Sequence, residues 1–152
     1  MFESCVSIIK KGDEILLIKK LRGLGQGLYN FPGGKKEENE SIEHCAIRET
    51  EEEVGLKIKS LEKVGEIWFY VNSRLEEIMH VFLVNQYEGE PKSSEEAIPI
   101  WYKIASIPYT NMWEDDKIWL PKVLKGEKIR CNFYFGENWK GFLGGTCSPE
   151  EY

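Results

Sequence analysis

The chain has 152 residues, of which 41% are hydrophobic and 30% are charged, and this balance predicts a globular protein rather than a disordered one. Its formal net charge of -6 lacks the surplus of Lys and Arg with which a general nucleic-acid-binding protein neutralises phosphates. We expect one domain covering residues 1–152, and no membrane partner, because no apolar run approaches the roughly 18 residues of a membrane span.

The first elements in chain order form a predicted β-hairpin. Residues 3–10 and 14–20 are apolar-rich runs, and Lys-Gly-Asp at 11–13 separates them with the composition of a turn. Residues 21–36 are rich in glycine and predict a loop. The N-terminal part of the chain therefore predicts two paired strands followed by a long connection.

A helix is predicted next, from Ser41 to Glu53. Ser41 has the side chain of a good N-cap, and Gly55 has the conformational freedom that ends many helices. On a helix of 3.6 residues per turn, Glu49, Glu52 and Glu53 occupy positions i, i+3 and i+4 and share one face. The helix therefore predicts three neighbouring carboxylates.

The remainder of the chain predicts more strands than helices. Strand patterns cover residues 56–71, 77–87, 98–104, 128–135 and 138–143. A second helix is predicted over 114–125, with a kink or a late start because Pro121 lies inside it. Since the two helices are far apart in sequence, the pattern favours an α/β fold in which helices flank a sheet.

Three carboxylates on one helix face are either a solvated acidic surface or a metal site. They repel one another, and a divalent cation would turn this repulsion into attraction. Carboxylate oxygens are hard ligands that suit Mg²⁺ or Mn²⁺. Arg48 is able to bridge the carboxylates, and Gly33-Gly34 just upstream lets the backbone come close to an ion or a phosphate. These neighbours favour the metal site.

The four cysteines point to a reducing compartment. They are widely scattered and include no Cys-x-x-Cys pair: Cys5, Cys45, Cys131 and Cys147. A secreted domain with structural disulfides usually has a denser set. The N-terminal segment also lacks the basic region and the cleavage site of a signal peptide. We therefore predict four reduced thiols in a cytoplasmic protein.

The acidic helix and the loop before it resemble a known motif. Gly34, five residues, Glu40, seven residues and then the run 48–56 (RETEEEVGL) resemble the Nudix box in every spacing. Thr50 is the one departure, since the family usually has an aliphatic residue there. The resemblance implies an α/β (α+β) Nudix fold, a mixed β-sheet sandwiched between α-helices. It also implies hydrolysis of a nucleoside diphosphate linked to another moiety.

The same resemblance implies the roles of the acidic residues. Glu49, Glu52, Glu53 and the Gly33 carbonyl would bind Mg²⁺, with Mn²⁺ as the alternative, and Glu96 would be a further acid near the metal. Arg48 belongs to the catalytic set because it orients the carboxylates. The general base stays open among Glu52, Glu53 and Glu96.

Outside the box, the chain resembles the MutT-type group that hydrolyses oxidised purine nucleoside triphosphates such as 8-oxo-dGTP. The segments that carry this resemblance are 22–35, 63–71, 80–82, 106–121 and 133–135. The residues matching Asn30, Trp113, Asp115 and Asp116 contact the purine base in that group. An Asn amide offers a donor and an acceptor, a Trp face stacks on the base, and paired carboxyls are able to share one proton. The relatives also suggest a monomer.

Further positions complete the predicted substrate site, and two of them depart from the group. The candidate substrate-binding residues are Cys5, Lys20, Asn30, Pro32, Gly33, Gly34, Lys35, Phe69, Trp113, Glu114, Asp115 and Asp116. Cys5 stands where relatives have a Thr, and Leu24 replaces a pocket-lining Phe. Two alternatives stay open: a Nudix hydrolase of another substrate, such as ADP-ribose or a dinucleoside polyphosphate, and a catalytically idle nucleotide-binding module.

Overall fold

Nine strands and two α-helices make up the protein, whose computed structural model describes residues 1–152. The strands are β1 (Phe2–Lys11), β2 (Glu14–Lys20), β3 (Tyr29–Asn30), β4 (Gly33–Lys35), β5 (Lys57–Val71), β6 (Arg74–Glu88), β7 (Ala97–Lys103), β8 (Ile129–Phe135) and β9 (Phe142–Pro149). The helices are α1 (Ile42–Val54) and α2 (Asp116–Leu124). Neither helix has the length and apolar content needed to cross a membrane.

The strands form one mixed sheet in the order β3-β2-β1-β6-β5-β8-β9, with β4 paired to β1 and β7 paired to β2. Residues 2–9 of β1 run parallel to β6, and its last two residues pair with β2. β5 runs parallel to β8, and the other pairs are antiparallel. The mixed sheet with helices confirms the predicted fold class.

β1 illustrates how the sheet buries both of its faces. Val6 and Ile8 belong to the apolar cluster that includes Trp119 of α2. Cys5 and Ile9 belong instead to the two clusters that pack against α1. Because successive side chains of a strand point to opposite faces, α1 and α2 cover opposite sides of the sheet.

The ends of α1 confirm the predicted helix. The Ser41 hydroxyl accepts a hydrogen bond from the His44 N–H at 3.1 Å, as an N-cap does. Gly55 follows the helix in the left-handed conformation, with φ of 77°, and its N–H donates to the Glu51 carbonyl at 2.9 Å. The left-handed conformation costs glycine little, so the chain turns away here.

α2 begins at Asp116, two residues later than the predicted 114, and ends at Leu124. Pro121 nevertheless lies inside the helix, since the later start does not place it in the first turn. The hairpin between β1 and β2 is also confirmed, and Gly12 turns it with φ of 62°.

The predicted loop at 21–36 and the predicted strand at 138–143 were both partly wrong. Two short strands, β3 and β4, lie within the loop, and β9 spans Phe142–Pro149 instead. Glycines at 144 and 145 obscured β9, because glycine disfavours strands in general. Its pairing with β8 requires glycine, however, since a Cβ on Gly145 would collide with the carbonyl oxygen of Asn132.

The prediction of four reduced thiols was wrong for one pair. Cys131 and Cys147 form a disulfide across β8 and β9, at a sequence separation of 16. They are directly opposite in the strand register, and this is a tertiary fact that spacing along the chain does not reveal. Cys5 and Cys45 are free and buried.

Candidate active site

The acidic face of α1 lies against the glycines of β4. Glu53 Oε1 accepts a hydrogen bond from the Gly33 N–H at 3.1 Å. Arg48 Nη1 donates to Glu49 Oε1 at 2.7 Å and to Glu52 Oε2 at 3.2 Å. The structure therefore brings the three predicted carboxylates, Arg48 and Gly33 together.

Arg48 also binds Glu40, the first acid of the motif. Arg48 Nε donates to one oxygen of Glu40 at 2.6 Å and Nη2 donates to the other at 2.9 Å. This two-point contact with Arg48 holds the pKa of the Glu40 carboxyl well below its usual range. Arg48 Nη2 reaches the Lys35 carbonyl at 3.2 Å as well, so a single guanidinium connects α1 to β4.

Glycine is required where β4 meets α1. A Cβ on Gly34 would collide with the Glu49 carboxylate, and a Cβ on Gly33 would collide with the Cys5 carbonyl oxygen. The two glycines thus permit a close approach between the acidic helix face and the backbone. Thr50, the departure from the motif, is fully buried on α1, and its hydroxyl donates to Ser7 Oγ at 3.1 Å. The hydrogen bond to Ser7 therefore compensates for the burial of the Thr50 hydroxyl.

The electrostatics of this face favour a cation. Burial raises the pKa of Glu53 to about 7, and the negative charges of Glu49 and Glu96 add to the effect. Burial also raises the pKa of Glu49. Glu96 precedes β7, so the structure brings this predicted acid near Glu53 from another part of the chain.

The carboxylates fit a hard divalent cation by their chemistry, although their arrangement is not that of a formed metal shell. No three acidic, His or Cys side chains surround a common point. Arg48 and the Gly33 N–H donate hydrogen bonds to the three carboxylates instead. Oxygen ligands with pKa values raised by burial and mutual repulsion are suited to Mg²⁺ or Mn²⁺. The individual ligand roles stay predictions.

A cavity of about 470 Å³ shares its wall with β4. Most of the predicted substrate-binding residues line it: Cys5, Lys20, Asn30, Gly33, Gly34, Lys35, Phe69, Trp113, Asp115 and Asp116. Pro32 is buried and Glu114 is exposed, and neither lines the cavity. The Cys5 thiol lies 2.7 Å from the Cys45 thiol and 3.6 Å from the Gly34 carbonyl, which places it toward α1.

Two adjacent acids line this cavity. Asp115 and Asp116 are 2% and 4% exposed, and Trp119 Nε1 donates to Asp115 Oδ2 at 3.0 Å. Burial raises the pKa of Asp115 to about 7. Burial, and then the charge of Asp115, raise the pKa of Asp116 well above its usual range. Asp116 Oδ2 is buried without a hydrogen-bond partner, so this oxygen is available to a ligand in the cavity.

Aromatic side chains form another wall, and some of them were not predicted. Trp113 packs edge-to-face on Phe135 and on Trp139, with ring centroids 5.8 and 6.0 Å apart. Trp139 lies in a 3₁₀ turn after β8, and no local pattern marks it as a cavity residue. Leu24 also lines the cavity, with 57% of its surface exposed.

Glu77 is a further cavity residue that sequence reasoning missed. A signal was present, because an acid at this position interrupts the apolar alternation of β6.

The fold and the site together define a Nudix protein. A profile of the NUDIX domain matches residues 3–123, and the chain belongs to this family. This confirms the resemblance noted for the motif at residues 34–56.

Individual relatives agree with the resemblance to the MutT-type group of hydrolases. The chain is 40% identical over 131 residues to an oxidized purine nucleoside triphosphate hydrolase from Danio rerio, covering 86% of this chain and 83% of that protein. It is 39% identical over 129 residues to the Mus musculus protein of the same name, covering 84% and 83%. A MutT protein from Bacillus halodurans superposes with a TM-score of 0.85 at 26% identity, covering 99% of this chain and 100% of that one.

Proposed function

We propose that this Nudix protein hydrolyses oxidised purine nucleoside triphosphates, such as 8-oxo-dGTP, to the monophosphate and pyrophosphate. The observation that carries the proposal is that β4 joins two features: the carboxylate face of α1 and a cavity lined by two buried acids. The relatives from Danio rerio and Mus musculus are named for the same substrate class.

The phosphate end of the site supplies charge and orientation. A bound Mg²⁺, or Mn²⁺ as the alternative, would neutralise the phosphates and the charge that develops on them. Glu49, Glu52, Glu53 and the Gly33 carbonyl would hold this ion, with Glu96 close by. Arg48 fixes the carboxylates, and the general base stays open among Glu52, Glu53 and Glu96.

The base end of the site supplies recognition. Lys20 and Lys35 line the cavity and offer positive charge to a triphosphate in an acidic protein. Asn30 lines the cavity, and its Oδ1 accepts a hydrogen bond from the Phe31 N–H at 2.8 Å, which fixes the amide and leaves its NH₂ group to donate to a base. A proton shared by Asp115 and Asp116 would offer the base one donor and one acceptor.

This activity would remove damaged nucleotides before they are incorporated into DNA. The protein would need only a nucleoside triphosphate as its partner, without a nucleic acid polymer or a membrane. A cytoplasmic location and a monomeric state stay predictions.

A substrate panel tests the proposal. The purified protein is incubated with Mg²⁺ or Mn²⁺ and 8-oxo-dGTP, 2-hydroxy-dATP, dGTP, dATP, ADP-ribose or a dinucleoside polyphosphate, and the products are separated by chromatography. We expect pyrophosphate and the monophosphate, with a higher kcat/KM for an oxidised purine than for its parent. Faster turnover of ADP-ribose would contradict the substrate class. Tight binding without turnover, in wild type and in Glu53→Gln alike, would indicate an idle binding module.

A further inference from the structure

An acidic residue interrupts the apolar face of β6. Residues 77, 79 and 81 point to the same side of this strand, because side chains alternate. Met79 and Val81 belong to the cluster that packs on Trp119 of α2, whereas the first position of the row is Glu77. A carboxyl on an apolar face costs free energy unless a partner or a ligand compensates for it.

Glu77 lies in the cavity that holds the two buried acids. It lines the cavity together with Asp115 and Asp116, although it comes from β6 rather than from the segment that opens α2. Its partners in the strand register are Phe2 of β1 and Phe69 of β5, and both also line the cavity. The carboxyl is therefore set among apolar rings.

Only one oxygen of this carboxyl is used by the protein. The Ser4 hydroxyl, 6% exposed, donates to Glu77 Oε2 at 2.5 Å, and no protein donor binds Oε1. The hydrogen bond holds the carboxyl in one orientation and leaves Oε1 as an open acceptor. Burial raises the pKa of Glu77, while the charges of Lys35 and Lys20 oppose this rise.

We propose that Glu77 is a specificity-determining residue that accepts a hydrogen bond from an N–H of the bound base and so favours purines that carry hydrogen at N7. The inference rests on the proposed function. An unmodified purine presents a lone pair at N7, and this lone pair repels a carboxylate oxygen. An 8-oxo purine carries hydrogen at N7 and is able to donate to the same oxygen. The acid pair then reads one edge of the base, and Glu77 reads another.

The test compares base selectivity in binding, independently of hydrolysis. Equilibrium dissociation constants for 8-oxo-dGMP and dGMP are measured for wild type, Glu77→Met and Glu77→Gln. Loss of a hydrogen bond to a charged group predicts that Glu77→Met binds 8-oxo-dGMP about 10-fold more weakly. Its affinity for dGMP should be unchanged or higher, because the repulsion is removed. Glu77→Gln should also gain dGMP affinity, since its amide is able to donate to N7.

Glu76 provides the matched control. It is adjacent on β6 and points to the opposite face, so Glu76→Met makes the same chemical change outside the cavity. We expect this variant to keep the wild-type selectivity. Thermal unfolding verifies that each variant is folded, and the nearly isosteric Glu77→Gln keeps the test available should Glu77→Met fail to fold.

The possible results separate this inference from the proposed function. An unchanged selectivity ratio in both Glu77 variants, with lower stability, would overturn the inference and leave Glu77 as an anchor for Ser4. A wild type that binds the two monophosphates equally would overturn it as well. Absence of triphosphate hydrolysis with an intact Glu77 effect on binding would contradict only the proposed function.

Discussion

The acidic face of α1 and the cavity of about 470 Å³, here called the base cavity after its proposed role, differ in how many elements build them. Glu49, Glu52 and Glu53 belong to one helix, where backbone hydrogen bonds set their spacing. The cavity instead combines Glu77 of β6 with Trp139 of a turn after β8 and with residues of several other elements. The helix face is set by the 3.6-residue period of one helix, whereas the cavity requires the whole sheet to be assembled. We therefore expect mutations to affect the two regions separately.

The two regions also differ in how their acids are compensated. Glu52 is 61% exposed and Glu49 is 21% exposed, and both contact the same guanidinium of Arg48. Asp115 and Asp116 are almost completely buried without a cationic partner. Acids beside a guanidinium suit a further cation, whereas burial raises the pKa of both Asp115 and Asp116 and so favours their protonated forms.

The largest effect is expected for Glu53→Gln, which removes a charge from the acidic face only. If Glu53 is a metal ligand or the general base, kcat should fall about 10²–10⁴-fold. Binding of 8-oxo-dGMP should change little, because Glu53 does not line the cavity. Pyrophosphate release and equilibrium binding measure the two regions separately. Glu51→Gln, an exposed change on the same helix, is the control, and an equal loss in that variant would contradict the assignment.

A smaller effect is expected for Arg48→Lys. A lysine cannot reproduce the contacts of Arg48 with Glu40, Glu49 and Glu52, so the carboxylates lose their orientation. Loss of such a supporting contact typically costs about 10–100-fold in metal affinity or activity. A titration of activity against Mg²⁺ should show a higher half-saturating concentration. Arg22→Lys, at an exposed ion pair, should leave that concentration unchanged. Equal Mg²⁺ dependence in both variants would argue against the role.

The raised pKa of Asp115 predicts that the difference in stability between wild type and Asp115→Asn depends on pH. Folding raises the pKa of Asp115 from 3.8 to about 7, so the folded protein binds this proton more tightly than the unfolded chain does. The resulting stabilisation is complete below the unfolded pKa and is lost as the pH rises toward 7. Asp115→Asn should therefore gain about 1–3 kcal/mol in unfolding free energy relative to wild type across this range. Urea denaturation at several pH values measures the difference.

Glu114→Gln is the control for this experiment, because Glu114 is the exposed neighbour of the pair. Its unfolding free energy should follow that of wild type at every pH. Stability curves of Asp115→Asn and wild type that run parallel would show that the carboxyl does not retain its proton on folding.

The smallest effect concerns the motif position that departs from the family. Thr50→Val leaves the Ser7 hydroxyl without its buried partner and should cost about 1–2 kcal/mol of stability. Adding Ser7→Ala removes the unpaired group, so the double variant should recover part of the loss. Chemical denaturation measures both. An additive loss in the double variant would show that the hydroxyl pair contributes nothing through its hydrogen bond.

Local signals explain why some parts of the fold were predictable. Ser41 and Gly55 act on their own helix ends, and Gly12 acts on its own turn, so each can be interpreted without the rest of the chain. β9 was predicted with wrong bounds because its stability comes from pairing with β8. The Cys131–Cys147 disulfide was missed for the same reason.

The sequence by itself determined the acidic helix face with Arg48 and the paired acids at 115 and 116, because helical periodicity and adjacency are properties of a short stretch of chain. Only the tertiary structure decided that Glu77 joins those acids, that Trp139 closes the aromatic wall and that Cys147 meets Cys131. Strand register brings together residues with no fixed relation in sequence, and this is the physical reason why the base cavity had to be seen in three dimensions.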